Sequence, residues 1–244
     1  MFTSVNHLDL EMGVDKRIGR FFVDRQVPKN NGYWKGRLLY VAFGNGYVFI
    51  PVYYDILHRL GLSQDVLLDE KHIDLMEKIL HLSYLHEANE ITLLEEITRI
   101  GGMMEGRIKD FDYYSALNTY LHQPVLKTLG PFGLSLSSLN RADVFLFALC
   151  DLPLNKRQWE EAIRYWYALL PNYLILDDLR DYVEDQEKGD ENVVLELSPG
   201  IEGFEQTFEM YRKNCLILQQ VNPALATFLL GNEEKLRGYI PANV

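Results

Sequence analysis

The residues best suited to chemistry are the acidic ones between Tyr173 and Asn192, in the segment YLILDDLRDYVEDQEKGDEN. Asp177, Asp181 and Asp185 recur every four residues, so on a helix they share one face. Like charges at this spacing destabilise a helix by about 0.2–0.5 kcal/mol per pair. The segment holds few basic residues to offset this repulsion. We therefore predict that a cation from outside the segment binds this face.

The apolar pattern upstream indicates where these carboxylates lie. Apolar side chains follow the spacing of one helical face at Ile163, Trp166, Tyr167, Leu170 and Leu174. The same spacing continues with Asp177 or Asp178, then Asp181 and Asp185, so we expect the carboxylates to extend a buried face into a central cavity. Buried carboxylates are costly unless they are paired, hydrogen-bonded or bound to a metal. Oxygen ligands favour Mg²⁺, and Asp177, Asp181 and Asp185 are the predicted metal ligands.

The stretch LDDLRDYVEDQE resembles the second aspartate-rich motif of class I isoprenoid synthases. In trans-prenyl diphosphate synthases that motif is DDxxD followed by an acid four residues on, and squalene synthases carry a similar RDYLED-like sequence. The resemblance implies an all-α bundle around a central cavity and a Mg²⁺-dependent reaction of a prenyl diphosphate. It also implies catalytic roles for Asp177, Asp178 and Asp181.

A second stretch adds to the resemblance. The sequence EGRIKDF at 105–111 is followed by Tyr113 and Tyr114 and then by Lys127-Thr128. In prenyl synthases a comparable Lys-Thr pair contacts the substrate diphosphate. The resemblance therefore implies that Lys127, Thr128 and Arg180 bind substrate, with Lys127 near the same cavity mouth as Asp177. The alternative is a surface lysine at a helix end.

The chain departs from the family at the first aspartate-rich motif, because it contains no second DDxxD. One candidate, LHLSYLHEANE at 80–90, places Glu87, Asn89 and Glu90 where aspartates normally stand. The other is the N-terminal LDLEMGVD, with Asp9, Glu11 and Asp15. The basic substrate motif of the family, GKRxRP, is at best weakly matched by Lys35-Gly36-Arg37. His81 and His86 are either metal ligands or hydrogen-bonded core residues.

Two readings of the acidic segment need no isoprenoid chemistry. The acids are either a solvated helix end that runs into a loop, or part of a calcium loop. The calcium reading uses Asp185, Glu187 and Glu196 at positions 1, 3 and 12, but it places Gly189 at position 5, where position 6 is expected.

Composition limits the classes of function. Hydrophobic residues make up 48% of the chain, which suffices for a full core, and the net charge of −11 argues against binding nucleic acid or anionic membranes. Cys150 and Cys215 form no disulfide or zinc pattern, and no apolar run is long enough to cross a membrane. We therefore expect a soluble cytoplasmic protein.

The pattern of elements predicts an all-α bundle of about eight helices in one domain, 1–244. Residues 1–36 are mixed and polar, and we expect a loop at 27–36 and helices in the apolar stretches. The predicted stretches are 38–60 (interrupted at 44–46), 69–100 (ended or bent at Gly101-Gly102), two pieces within 103–133, 135–152, 156–188 (bent near Pro171) and 204–230 (with a possible break at Pro223).

Three hypotheses follow for function. The first is an enzyme, a prenyltransferase or terpene synthase-like protein that ionises an allylic diphosphate with Mg²⁺. The second is a non-catalytic subunit that binds a prenyl diphosphate and partners an active synthase. The third is an unrelated bundle with structural acids. The sequence leaves open whether the chain forms a homodimer or a heteromeric synthase.

Overall fold

The computed structural model describes residues 4–26, 28–32 and 48–241. Three predictions lie outside the described residues: the basic substrate motif at 35–37, the first part (38–47) of the apolar stretch 38–60, and the interruption of that stretch at 44–46.

The described residues are helical and contain no β-strand, which confirms the all-α class. They form twelve α-helices where about eight were predicted: α1 (Val5–Leu10), α2 (Lys16–Asp24), α3 (Phe49–Arg59), α4 (Gln64–Leu67), α5 (Glu70–Glu87), α6 (Leu93–Met104), α7 (Phe111–Leu121), α8 (Lys156–Lys188), α9 (Val193–Leu197), α10 (Ile201–Leu218), α11 (Pro223–Gly231) and α12 (Glu233–Arg237). Two 3₁₀ segments, Ser137–Asn140 and Asp143–Asp151, lie between α7 and α8. None of the helices in the described ranges is both long and apolar enough to span a membrane.

Helix α8 carries the acidic motif and packs against α3, α9 and α10. It begins at a capping box in which Asn155 and Gln158 exchange hydrogen bonds between side chains and backbone. It ends at Gly189, whose φ of 73° lies in the left-handed region that favours glycine at a helix C-terminus. The predicted helix from about residue 156 to Lys188 is therefore confirmed, with Pro171 inside it.

The continuous helix predicted for 69–100 is wrong, because a turn separates α5 from α6. Asn89 adopts a left-handed φ of 57° in that turn, and Thr92 then starts α6 with a capping box to Glu95. Helix α6 runs through Gly101-Gly102 to Met104, so this glycine pair does not end it. The start of α6 is set by the Thr92 cap, which the hydrophobic periodicity does not reveal.

The helix predicted for 135–152 is also wrong, because this region forms the two 3₁₀ segments. Every residue from Asp143 to Cys150 is buried. A segment that is buried all round has no polar face, so its residue types do not distinguish an α-helix from a 3₁₀ segment. The last predicted helix is divided between α10 and α11, with Pro223 at the start of α11.

The mixed, polar N-terminal region forms α1 and α2, for which no element was predicted. Buried Asp55 on α3 accepts hydrogen bonds from the Asp15 backbone N–H at 2.8 Å and from Arg59 Nε at 2.6 Å. Asn222, before α11, donates from Nδ2 to the Met12 carbonyl at 2.9 Å. These bonds fasten the loop between α1 and α2 to both α3 and the C-terminal helices.

The apolar side chains form one buried cluster that extends from Leu8 to Leu236. Aromatic residues from α3, α8 and the second 3₁₀ segment meet within it. The rings of Phe145 and Trp166 stack with centroids 5.1 Å apart, and Phe49 and Tyr53 contact them edge-on. These aromatic rings pack against one another and hold α8 in place beside α3.

Candidate functional site

The four aspartates of the acidic motif have different exposures. Asp178 is buried, Asp181 and Asp185 are half-buried, and the Asp177 side chain is 58% exposed. Of the two residues that could continue the buried face, Asp177 and Asp178, it is Asp178 that is buried, while Asp177 is exposed. The face continues from Leu174 by four residues to Asp178.

Asp178 joins three parts of the fold. Its Oδ1 lies 2.7 Å from Arg141 Nη2, and its Oδ2 accepts the Val193 backbone N–H at 2.7 Å at the start of α9. Its backbone carbonyl accepts a hydrogen bond from Asn192 Nδ2 at 2.8 Å. Burial raises the pKa of Asp178, and the Arg141 charge opposes that rise. Asp178 thus fixes Arg141 and α9 on the motif helix.

Asp185 and Glu196 hold the segment after α8. Asn192 Nδ2 donates to Asp185 Oδ2 at 2.8 Å. The two oxygens of Glu196 accept the backbone N–H and hydroxyl groups of Ser137 and Ser138, at 2.7–3.1 Å. Glu196 therefore uses both carboxylate oxygens on the first 3₁₀ segment, an arrangement that does not fit the calcium-loop reading.

Asp177 and Asp181 are the motif acids that accept no hydrogen bond from the residues that the structure describes. Asp177 Oδ2 lies 4.0 Å from Arg141 Nη2. Burial raises the pKa of Asp181, and the negative charges of Asp177 and Asp185 raise it further. Within the described ranges, no three His, Cys, Asp or Glu side chains converge on one metal position. Mg²⁺ takes one or two protein carboxylates together with substrate phosphates, so the donor chemistry of Asp177 and Asp181 fits this ion.

The predicted substrate-binding residues lie at different places. Lys127 and Thr128 are exposed on the loop after α7. That loop is tied to the first 3₁₀ segment because Asn140 Nδ2 donates to the Leu126 carbonyl at 2.9 Å, and Asn140 directly precedes Arg141. Arg180 is exposed on α8, with its guanidinium 5.8 Å from the centre of the Tyr239 ring.

Sequence reasoning missed Arg141 and Asp143. Asp143 is fully buried, and its carboxylate accepts hydrogen bonds from Tyr120 Oη at 2.5 Å, Trp166 Nε1 at 2.8 Å and Tyr167 Oη at 2.8 Å. Burial raises the pKa of Asp143 to about 6, against the lowering effect of these three donors. The signal in the sequence was a group of three polar residues, Asn140, Arg141 and Asp143, directly before the apolar run VFLFALC.

The hydrogen bonds around Asp143 also set the position of the Lys127 loop. The Gly133 backbone N–H donates to Tyr167 Oη at 2.6 Å. Gly133 has a φ of 76°, and a Cβ there would lie 2.7 Å from the Tyr120 ring and 2.9 Å from the Lys127 carbonyl oxygen. Only glycine fits this close approach, so the end of the loop is held against the buried aspartate.

The raised pKa of Asp143 predicts a pH dependence of stability. A carboxyl group with a higher pKa in the folded chain binds its proton more tightly there, so its stabilisation is full below the ordinary pKa of 3.8 and is lost as the pH rises through about 6. The free-energy cost of Asp143→Asn should therefore be about 2 kcal/mol smaller at pH 7 than at pH 4. Urea unfolding of both proteins across this range measures the difference. A cost that grows with pH would contradict the assignment.

The candidates for a first acidic motif make separate contacts. His81 Nδ1 accepts the Gly32 backbone N–H at 3.0 Å, which agrees with a hydrogen-bonded histidine. Asp15 caps α2, and Asp9 pairs with Lys16 at 3.3 Å. The side chains of Glu87, Asn89 and Glu90 are exposed at and just beyond the end of α5.

Comparison with protein-family models, with curated proteins and with solved structures gave no match to this chain.

Proposed function

We propose that the chain is a Mg²⁺-dependent protein that binds and ionises a prenyl diphosphate, in the manner of class I isoprenoid synthases. The observation that carries the proposal is that the motif acids differ in their hydrogen bonding. Asp178 is fixed by Arg141 and α9, while neither Asp177 nor Asp181 accepts a hydrogen bond from any residue that the structure describes.

Each residue then has a defined part. Asp177 and Asp181 would hold Mg²⁺, which supplies positive charge to offset that of the diphosphate leaving group. Arg141 lies beside Asp177 and is oriented by Asp178, so it is placed to donate hydrogen bonds to a phosphate oxygen. Lys127 and Thr128, on the loop joined to Asn140, would contact the same diphosphate. Asp185 is engaged by Asn192 and is the least available of the predicted metal ligands.

A second candidate is a non-catalytic subunit that binds a prenyl diphosphate and partners an active synthase. The observation that favours it is that Asp178, one of the motif acids, is committed to an ion pair and to the start of α9. Measurement of released pyrophosphate with five- to twenty-carbon substrates distinguishes the two, because only the enzyme produces pyrophosphate.

The site is tested by replacing Asp177 and Asp181, the two carboxylates proposed to hold Mg²⁺, with neutral amides. Asp177→Asn with Asp181→Asn should weaken Mg²⁺-dependent binding of a prenyl diphosphate by 100-fold or more. Stability should change by less than about 1 kcal/mol, since the double substitution removes repulsion and breaks no hydrogen bond. Calorimetric titration with Mg²⁺ or with chelator measures the binding.

The matched control is Glu202→Gln with Glu209→Gln, which removes the same charge from exposed positions on α10. This control should bind like the wild-type protein. Mg²⁺-dependent binding that persists in the aspartate variant would place the site elsewhere.

A further inference from the structure

Only one of the two carboxylate oxygens of Glu96, in the first turn of α6, has a hydrogen-bond partner among the described residues. Its side chain is 1% exposed, and Oε1 accepts a hydrogen bond from Ser83 Oγ at 2.7 Å. The other oxygen, Oε2, is buried and has no hydrogen-bond partner among the residues that the structure describes. Leaving a buried polar atom unpaired costs free energy, so such an atom is usually satisfied by a water or an ion.

The imidazole of His86, on α5, lies beside this oxygen. Nδ1 is 3.2 Å from Glu96 Oε2, which is within hydrogen-bonding distance. The angle at which the two atoms face each other does not meet hydrogen-bond geometry. A hydrogen bond needs a nearly straight approach. Two ligands bound to one zinc ion at 2.0–2.1 Å are about 3.0–3.4 Å apart and point at the metal, not at each other.

We propose that His86 Nδ1 and Glu96 Oε2 are two protein ligands of a divalent transition metal of the Zn²⁺, Co²⁺ and Ni²⁺ class. An imidazole nitrogen with a carboxylate oxygen suits these ions, whereas Mg²⁺ prefers oxygen alone. The hydrogen bond from Ser83 holds Oε1 and leaves Oε2 as the ligand atom. The His86 side chain is 42% exposed, so water can reach the metal and complete its coordination.

This site is independent of the proposed diphosphate chemistry, because it uses other residues on other helices and a different class of metal. A third His, Cys, Asp or Glu ligand is absent among the described residues. We therefore expect an exchangeable ion with waters, not a closed structural zinc site.

The test uses the untagged full chain, stripped with chelator and titrated with Zn²⁺ and with Co²⁺ in the absence of Mg²⁺ and diphosphate. We expect one equivalent of Zn²⁺ to bind with micromolar affinity and to raise the unfolding temperature. Bound Co²⁺ should give a visible absorption band. His86→Ala should weaken binding at least tenfold and abolish the band, and because His86 is partly exposed this variant should still fold. Glu96→Gln should weaken binding similarly.

The matched control is His7→Ala, which removes another histidine close to a glutamate, since His7 Nδ1 lies 3.0 Å from Glu11. Binding should be unchanged in this variant. The proposal is overturned if wild-type protein binds no Zn²⁺ at millimolar concentration, if His86→Ala binds as the wild type does, or if His7→Ala loses binding equally.

Discussion

Replacing Asp143 with alanine should lower the free energy of unfolding by about 4 kcal/mol at pH 7. The carboxylate is the acceptor for Tyr120, Trp166 and Tyr167, and all three donors lie in or against the core. Its removal leaves three donors without a partner, and each buried donor costs about 1–3 kcal/mol. Urea-induced unfolding followed by circular dichroism measures the loss.

Tyr120→Phe is the control for this prediction, because it removes one donor and leaves the carboxylate with the other two. It should cost about 1 kcal/mol. If Asp143→Ala costs no more than this control, the buried aspartate does not organise the region.

Replacing Asp178 with alanine should lower the free energy of unfolding by about 3 kcal/mol. It leaves the Arg141 guanidinium without its 2.7 Å partner and the Val193 N–H without an acceptor. Breaking a buried ion pair by removing one partner costs about 3–5 kcal/mol, and the partial exposure of Arg141 favours the lower end. Thermal and urea unfolding in chelator measure the effect.

Asp177→Ala is the control, since it deletes the neighbouring carboxylate, which accepts no hydrogen bond from the described residues. We expect a change within about 0.5 kcal/mol. Equal losses at the two positions would mean that the motif does not divide into a structural and an available half.

The sequence predicted the long helix well because its apolar spacing, its Asn155 cap and the terminal Gly189 all agree. It predicted the acidic face less well. A choice between Asp177 and Asp178 depends on a shift of one residue, about 100° around a helix. That shift is set by what packs against the helix, here Arg141 and α9, and no local pattern contains this information.

The sequence could not predict Asp143 as a buried centre for a related reason. Its three donors come from α7 and α8, at positions 120, 166 and 167. A tyrosine or tryptophan in an apolar helix indicates only burial, and the polar atom at its end finds a partner through the tertiary fold. The same holds for Glu96, whose neighbours Ser83 and His86 lie across a turn that periodicity did not reveal.

The bonds that join Asp15, Asp55 and Asn222 have a consequence for how the chain matures on the ribosome. Helices α1 and α2 are synthesised before Asn222, which donates a hydrogen bond to the Met12 carbonyl and lies 210 residues further along. Domains are synthesised from the N-terminus at about 5–20 residues per second, so about 10–40 seconds separate the synthesis of Met12 from that of Asn222. Helix α2 has an earlier partner in α3, since the Phe22 ring contacts the Tyr54 ring, whereas the bond from Asn222 forms only at the end of this interval. The loop between α1 and α2 is therefore fixed to the C-terminal helices late in synthesis, after α2 and α3 are complete.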